Sequence, residues 1–208
     1  MHLLLAELAA NTTRTGTLLH DVTNFLVHHG CPRTAAHSLE VADAARHLAA
    51  RYGTDADAAE AAGWLHDISA IIPVSERVRY AEAWGIEVLP EERQVPLIVH
   101  QKLSAYIAQH IFEIADAKVI SAIGCHTTLR AGASQLDKIV FIADKIEWDG
   151  RGEPPYRAEL AYAAQHSIDA ATTWFLSYLW QRRETLLVLH PWLVAAYEEV
   201  LSIHRSFE

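Results

Sequence analysis

The chain has 208 residues, of which 51% are hydrophobic and 21% are charged. This balance is typical of a globular protein with one domain-sized core, and it excludes an intrinsically disordered chain. The formal charge of −9, from 17 basic and 26 acidic residues, excludes a surface built to coat nucleic acid.

Helix start and stop signals recur along the chain, whereas strand-like alternation is scarce. The first half predicts a helix over Leu3–His28 with a break near Gly16, then helices over Arg33–Tyr52, from Thr54 or Asp55 to Asp67, and over Ser75–Gly85, followed by a loop between Pro90 and Pro96. The second half predicts helices over Leu97–Phe112, Asp116–His126, Ser134–Glu147, Tyr156–Leu189 and Pro191–His204, with a loop at 148–155. The predicted fold class is all-α.

The remaining composition indicates where the protein works. Its two cysteines, Cys31 and Cys125, imply no disulfide framework and favour a reducing compartment. The N-terminal apolar run is short and lacks the basic flank of a secretory signal, and no apolar stretch is long enough to span a bilayer. We therefore expect a cytoplasmic protein that binds neither membrane nor nucleic acid. Cys125 is expected to be a small buried hydrophobic residue.

An adjacent histidine and aspartate, His66 and Asp67, stand at the end of the apolar helix that begins near Asp55. Neighbouring helical side chains diverge by about 100°, so both reach one ion only if it lies over the helix end. An imidazole beside a carboxylate suits a borderline divalent metal. Helix capping explains the pair equally well. A second such pair, His20-Asp21, has no surrounding motif and is expected at the surface.

Four further titratable residues emerge from apolar helical segments: His37, His100, His126 and Asp144. A structural hydrogen bond explains any one of them, although an unpaired Asp144 would be expensive to bury. A shared metal explains all four together with His66 and Asp67. The other histidines stand at helix ends or beside polar residues, where exposed or capping roles are expected: His2, His28, His29, His47, His110, His166, His190 and His204.

The order of these residues resembles the HD-domain superfamily of metal-dependent phosphohydrolases, and in detail its YqeK-type family. The resemblance rests on the segments 33–42, 62–67, 122–127 and 136–147 and on the isolated His100, and it covers roughly residues 30 to 200. It implies a single-domain HD-domain helical bundle over residues 30–208. We hypothesise that the N-terminal helical extension, residues 1–29, forms a homodimer contact or a lid.

This resemblance implies a symmetrical bis(5′-nucleosyl)-tetraphosphatase, which hydrolyses diadenosine tetraphosphate to two ADP. Its metal ligands would be His37, His66, Asp67 and Asp144. His100 and His126 would bind the substrate phosphates or hold a second metal. With one ion bound, these two histidines could also protonate the departing nucleotide. With two ions bound, Asp67 would bridge them.

The implied cofactor is one or two divalent transition ions, with iron as the first candidate and Mn, Co, Ni or Zn as alternatives. Such an ion activates a water and acts as a Lewis acid on the phosphoanhydride. Basic residues near the motifs would contact the nucleotide phosphates: Arg33, Lys145 and Arg151. Lys102 and Lys138 are weaker candidates for such contacts, because a lysine is by default expected on the solvated surface. Thr127 would hydrogen-bond a phosphate or end its helix.

Three departures from the resembled family leave alternatives open. Ala70 stands where the family usually has a lysine, and Gln101 stands where it favours glycine. In addition, the loop before Arg151 is one residue longer. The alternatives are another HD-type nucleotide phosphohydrolase (a 5′-nucleotidase, nucleotide pyrophosphatase or cyclic-nucleotide phosphodiesterase) and a non-catalytic nucleotide- or metal-binding module.

Overall fold

The computed structural model describes residues 3–10, 14–148, 150 and 152–205. Residues 203–205 are described by their backbone alone. Within these residues every regular element is helical, which confirms the all-α prediction. The α-helices are α1 (Leu3–Ala9), α2 (Leu18–His28), α3 (Pro32–Arg51), α4 (Ala56–Leu65), α5 (Arg77–Ala83), α6 (Pro90–Gln94), α7 (His100–His110), α8 (Ala117–Cys125), α9 (Gln135–Ile146), α10 (Arg157–His166), α11 (Ile168–Gln181) and α12 (Pro191–Arg205). None of the described helices is long and apolar enough to cross a membrane.

The helix ends follow the punctuation in the sequence. The N-terminal segment breaks around Gly16 into α1 and α2, as expected. Asp55 caps α4, because its carboxylate accepts hydrogen bonds from two backbone N–H groups of the first turn. Ser134 and Asp137 form a reciprocal capping box at the start of α9. Gly53, with φ of 67°, follows the end of α3 in the left-handed region that glycine adopts without strain.

The segment between Pro90 and Pro96 was predicted as a loop, and this prediction is wrong. It contains the short helix α6, in which Pro90 occupies the first turn, where a missing N–H costs nothing. The carboxylate of Glu92 accepts a hydrogen bond from the backbone N–H of Leu89, which satisfies one end of the helix. A long-range pairing of Glu92, described below, adds to the stability of this turn.

Two other helix boundaries differ from the prediction. The helix expected from Leu97 begins at His100, because the preceding residues form a 3₁₀ turn over Pro96–Val99. The single run expected over Tyr156–Leu189 is divided into α10 and α11, and it ends at Gln181, before the expected Leu189. Ser167 lies at the division in an extended conformation, and its hydroxyl accepts a hydrogen bond from a backbone N–H in the first turn of α11. Its preference for an N-cap position outweighs the apolar periodicity on either side.

Helix α9 lies at the centre of the molecule. Ile139, Val140, Phe141, Ile142 and Ala143 are all completely buried. The helix contacts α3, α4, α8, α10 and α11, so nearly every side of it is covered. This explains the unbroken apolar run in the sequence. The next residues along the chain therefore emerge from the middle of the bundle.

Helices α3 and α4 approach each other closely at a glycine. A Cβ atom on Gly63 would lie 2.4 Å from the Cα of Ala42, so no other residue fits without a shift of the backbone. The close approach brings His37 of α3 next to His66 at the end of α4, with their ring centroids 5.1 Å apart.

The N-terminal helix α2 packs into the same core as the rest of the chain. Its residues Val22, Phe25 and Leu26 are at most 3% exposed. Phe25 packs edge-to-face on Phe112 with the ring centroids 5.4 Å apart. A domain boundary after residue 29, and the roles of this segment as a dimer contact or lid, stay predictions.

Candidate metal centre

The six predicted metal-ligand candidates converge where five helices meet. They are His37 of α3, His66 and Asp67 at the end of α4, His100 at the start of α7, His126 at the end of α8 and Asp144 in the last turn of α9. Most stand at helix ends, where side chains can turn toward a common point. The cluster therefore forms through the packing of separate helices against one another and not through a single local sequence motif.

Three of the histidines are oriented by the same local hydrogen bond. In each, Nδ1 donates to the backbone carbonyl oxygen three residues earlier, at 2.8, 2.6 and 2.8 Å for the pairs His66–Gly63, His100–Leu97 and His126–Ile123. Because a carbonyl oxygen only accepts, the proton lies on Nδ1 of the neutral ring and Nε2 presents its lone pair. Metal-binding histidines are commonly fixed in this way by a partner on their other nitrogen.

One half of the cluster surrounds Asp144. Its Oδ1 atom lies 3.2 Å from Nε2 of His37 and 3.5 Å from Nε2 of His66. His66 Nε2 also lies 3.7 Å from Oδ2 of Asp67. Two imidazoles and two carboxylates thus face one small volume.

The other half surrounds the second oxygen of Asp67. Its Oδ1 atom lies 3.2 Å from Nε2 of His100 and 3.5 Å from Nε2 of His126. The ligand atoms of Asp67, His100 and His126 lie within 4.8 Å of one another, and so do those of His37, His66 and Asp67. Asp67 therefore belongs to two groups of potential ligands at once.

The polar atoms of the cluster fit a bound cation. Nε2 of His66 is buried and has no hydrogen-bond partner within the described residues. The Nε2 atoms of His100 and His126 lie only 2.9 Å apart, although each presents a lone pair in its neutral form. A proton or a metal ion near these atoms relieves both problems. The set of imidazoles and carboxylates suits divalent transition metals better than magnesium.

The electrostatics of the cluster also favour positive charge. Burial opposes ionisation of Asp67 and Asp144, but the facing imidazoles, and Lys145 beside Asp144, hold both pKa values well below the usual range. Burial likewise disfavours charge on His66, yet the two carboxylates raise its pKa to about 9. For His126 burial prevails and lowers the pKa to about 4 despite a hydrogen bond with Asp67. His126 is therefore neutral at physiological pH and free to act as a ligand.

A cleft of about 350 Å³ opens above the cluster. Besides the candidate ligands it is lined by Ala70, Arg77, Leu97, Thr127, Lys145 and Trp148. Sequence reasoning did not identify Arg77, Leu97 or Trp148. Trp148 closely follows the Asp144 motif, which could have drawn attention to it. Leu97 lies three residues before His100 and could have been found in the same way, whereas Arg77 comes from a separate segment and carried no local signal.

Arg77 is a buried cation in the wall of this cleft. Its Nε donates to the carbonyl oxygen of Ile72 at 3.2 Å, and its Nη1 donates to that of Leu97 at 3.0 Å. The Leu97 carbonyl oxygen also accepts from His100 Nδ1, so Arg77 helps to hold the carbonyl that orients a candidate ligand. Its positive charge lines the same cleft as Ala70, the position at which the resembled family usually has a lysine.

Two predicted substrate contacts, Lys145 and Thr127, line the cleft. Lys145 Nζ lies 2.5 Å from Asp144 Oδ2 and donates to the carbonyl oxygen of His126 at 3.4 Å. Thr127 Oγ1 lies 3.1 Å from His100 Nε2, in the turn that ends α8. Their contacts with a nucleotide stay predictions.

The other predicted cations lie elsewhere. Arg33 is exposed on the first turn of α3, one turn before His37, and is not among the residues that line the cleft. Arg151 lies outside the described residues. Lys138 pairs with Asp169. The expectation of a solvated Lys102 is wrong, because its side chain is 10% exposed and pairs with Glu92.

Gln101, the residue that departs from the resembled family, is completely buried beside the site. Its side-chain oxygen accepts hydrogen bonds from the backbone N–H groups of Thr127 and Thr128 at 3.1 and 3.3 Å. Because these residues follow His126 directly, Gln101 fixes the turn that carries Thr127 into the cleft.

The remaining histidines divide as expected, with one exception. His20 is exposed, but the expectation of a surface position is wrong for its neighbour Asp21, which is buried and accepts hydrogen bonds from Thr15 away from the cluster. His190 caps α12 by accepting from the backbone N–H of Trp192, but it is buried, with Nε2 3.3 Å from Glu92 Oε1. His28, His47, His110 and His166 are exposed and His29 is half-buried, whereas His2 and the side chain of His204 lie outside the described residues. Cys125 is buried, as predicted, and burial raises the pKa of its thiol to about 12.

The sequence that forms this site matches a known protein family. A model of the HD domain matches residues 34–149, a range that contains every candidate ligand. An uncharacterized protein in the pepC 5′ region of Lactococcus lactis subsp. cremoris is 44% identical over 67% of this chain and 70% of its own length. The symmetrical bis(5′-nucleosyl)-tetraphosphatase of Staphylococcus aureus is 34% identical over 53% of this chain. The chain spans 57% of the length of that enzyme.

A solved structure has the same fold over most of the chain. It is described as a predicted HD superfamily hydrolase involved in NAD metabolism from Clostridium acetobutylicum. The superposition of the two structures has a TM-score of 0.81 and covers 88% of this chain and 96% of the other. Their sequences are 28% identical.

Proposed function

The chain belongs to the HD domain family, and on that premise we propose that it is a metal-dependent hydrolase that splits dinucleoside tetraphosphates symmetrically, diadenosine tetraphosphate into two ADP. The observation that carries the proposal is the position of Asp67, shared by two groups of potential ligands below a cleft with cationic walls. The tetraphosphatase of Staphylococcus aureus supports the choice of substrate, since it is 34% identical to this chain over 113 residues.

We infer that His37, His66, Asp67 and Asp144 hold one divalent ion. Asp67 would bridge it to a second ion held by His100 and His126. Iron is our first candidate, with Mn, Co, Ni and Zn as alternatives. When bound, such an ion supplies an activated water and relieves charge on the phosphoryl oxygens.

The side chains of the cleft would then bind and orient the phosphates. Lys145 and Arg77 offer positive charge on the cleft wall, and the Thr127 hydroxyl can donate a hydrogen bond to a phosphate oxygen. The lowered pKa of His126 favours a ligand role for it over proton donation. If only one ion binds, the Nε2 atom of His100 is free of metal, and His100, with its side chain 15% exposed and next to Thr127, is then the residue that we expect to exchange a proton with the departing nucleotide.

A substrate panel with product analysis tests the proposal. The metal-free protein is reconstituted anaerobically with Fe, Mn, Co or Mg and incubated with diadenosine tetraphosphate, nucleoside monophosphates, nucleoside triphosphates and cyclic nucleotides. Two ADP per tetraphosphate is the expected result. AMP with ATP, or preferred cleavage of another class, would assign the protein to a different HD-type phosphohydrolase. Metal binding without turnover of any substrate would identify a non-catalytic binding module.

A further inference from the structure

An exposed aromatic ring stands on the wall of the candidate active cleft. Trp148 is 45% exposed. Among the described residues, eight large hydrophobic side chains are exposed, and two of them, Leu97 and Trp148, line this cleft. Exposed apolar groups gathered at a concave polar site commonly mark a ligand surface. The metal ligands and Lys145 account for a phosphate end of the cleft but leave this apolar wall without a role.

A glycine leaves room for the Trp148 ring. A Cβ atom on Gly150 would lie 2.3 Å from Cζ2 and 2.4 Å from Cε2 of the indole. The ring therefore occupies the space that any side chain at this position would fill. It is packed against the backbone on that side, while nearly half of its surface remains open.

The chain connection keeps this ring near the phosphate end of the cleft. Trp148 follows the last turn of α9, which carries Asp144 and Lys145. The three peptide units between Lys145 and Trp148 limit their Cα separation to about 11 Å. A ligand whose phosphates contact Lys145 in a cleft of about 350 Å³ can therefore reach the indole with the group next to those phosphates.

We propose that Trp148 is a stacking platform for one nucleobase of the substrate, with Leu97 as an apolar contact in the same cleft. The proposal rests on the proposed function, because it takes the ligand to be a nucleotide. Stacking on an aromatic face tolerates any base, so Trp148 provides affinity for a nucleoside and little choice between adenine and guanine. It distinguishes a nucleotide from an inorganic polyphosphate.

Binding of ADP and of inorganic pyrophosphate to the manganese-loaded protein tests this role. The two ligands share a phosphoanhydride and differ by the nucleoside. By titration calorimetry, Trp148→Ala is expected to weaken ADP binding on the order of 5- to 100-fold and to leave pyrophosphate binding within about twofold. Trp148→Phe, which keeps an aromatic face, should retain most of the ADP affinity. Tyr162→Ala is the matched control, because Tyr162 is an aromatic residue, 67% exposed, that does not line the cleft.

Several results would overturn the stacking role. In Trp148→Ala, such a result is that the affinities for ADP and pyrophosphate fall equally, or that neither falls. In the wild-type protein, it is equal affinity for ADP and pyrophosphate, or no binding of ADP. Trp148→Leu keeps a large apolar side chain but removes the aromatic face, and it should also weaken ADP selectively, which covers the case in which Trp148→Ala unfolds. If ADP binding depends on Trp148 while diadenosine tetraphosphate is not cleaved, the proposed function fails and the nucleobase contact stands.

Discussion

Asp67 and Asp21 are both aspartates that directly follow a histidine, yet the chain uses them differently. Asp21 accepts hydrogen bonds from the backbone N–H and hydroxyl of Thr15, at 2.6 and 2.7 Å, and closes a local turn. Asp67 faces the imidazole of its neighbour His66 and those of two other helices, His100 of α7 and His126 of α8. The sequence context separates the two pairs, because only His66-Asp67 ends a strongly apolar helix.

This contrast gives a prediction on metal content. Asp67→Asn removes a charged donor from both ligand groups, so metal affinity should fall by more than the roughly 10- to 100-fold that loss of an outer-shell partner costs. Asp21→Asn is the matched control and should bind as much metal as the wild type. Elemental analysis after dialysis against limiting metal measures both. Equal metal in the two variants would show that the site lies elsewhere.

Proton release on metal binding is a second prediction at the residue scale. The two carboxylates raise the pKa of His66 to about 9, so its ring is protonated in the metal-free protein at neutral pH. A metal must displace that proton, and its affinity should therefore rise by about tenfold per pH unit for each proton released, up to about pH 9. Titration calorimetry in buffers of different ionisation enthalpy counts the protons. His66→Gln should release fewer, His47→Gln should match the wild type, and an affinity independent of pH would contradict the prediction.

The contact between α3 and α4 sets the position of the site at the scale of elements. Gly63 touches the Ala42 backbone, and its carbonyl oxygen also accepts from His66 Nδ1. The same residue thus allows the two helices to approach and orients a candidate ligand. The spacing between His37 and His66 depends on this approach.

Gly63→Ala tests this contact. The added Cβ would lie 2.4 Å from the Ala42 Cα, so the helices must separate, with an expected loss of about 1–3 kcal/mol of stability and weaker metal binding. Gly124→Ala in α8 is the matched control. There the nearest atom, Ala105 Cβ, lies 3.6 Å away, and a helical alanine should stabilise the protein by up to about 1 kcal/mol. Urea denaturation measures both, and equal effects would rule out the close packing as the cause.

The candidate ligands could be identified from the sequence because each is a titratable residue in or at the end of an apolar helical segment. His37, His66, Asp67 and Asp144 all share that local property, and the HD-domain resemblance put them in order. Their division into two groups about Asp67 could not be seen, since it depends on distances between helices. Arg77 was missed for the same reason, as it reaches the cleft from a separate segment.

Ion pairs between residues that are distant in the chain also explain why the segment around Glu92 and the burial of Lys102 were predicted wrongly. Glu92 reads as an exposed acid in a proline-bounded loop, but it is completely buried and pairs with two residues distant in the chain. The burial of Lys102 and His190 follows from that one carboxylate. Composition around each residue gives no sign of such a network, because each partner comes from a different segment.

At the scale of the whole molecule, Glu92 connects three segments. Its Oε2 accepts from Lys102 Nζ of α7 at 2.8 Å, and its Oε1 lies 3.3 Å from Nε2 of His190, directly before α12. Burial opposes the charge of Glu92, yet the His190 and Lys102 contacts and the Leu89 N–H outweigh it and lower the pKa. The ionised carboxylate therefore helps to hold the C-terminal helix on the bundle.

The pH dependence of this contribution follows from the direction of the shift. A lowered pKa in the folded state means that Glu92 stabilises the protein above its unfolded-state pKa of about 4.3. That stabilisation is lost as the pH falls through the lower folded-state value. Glu92→Gln leaves the buried Lys102 without its counter-charge and should cost about 3 kcal/mol at pH 7.

Once the pH has fallen below the lowered folded-state pKa, the wild-type residue is a neutral acid of nearly the same shape as glutamine, so the two proteins should converge in stability. Urea denaturation between pH 3 and 7 measures the difference. Glu82→Gln is the matched control, because Glu82 pairs with Arg93 at half-exposed positions, where such a pair contributes only about 0.2–1 kcal/mol. A Glu92→Gln effect that is as small as that of the control, or that stays constant down to pH 3, would contradict a buried ionised carboxylate that links α6, α7 and α12.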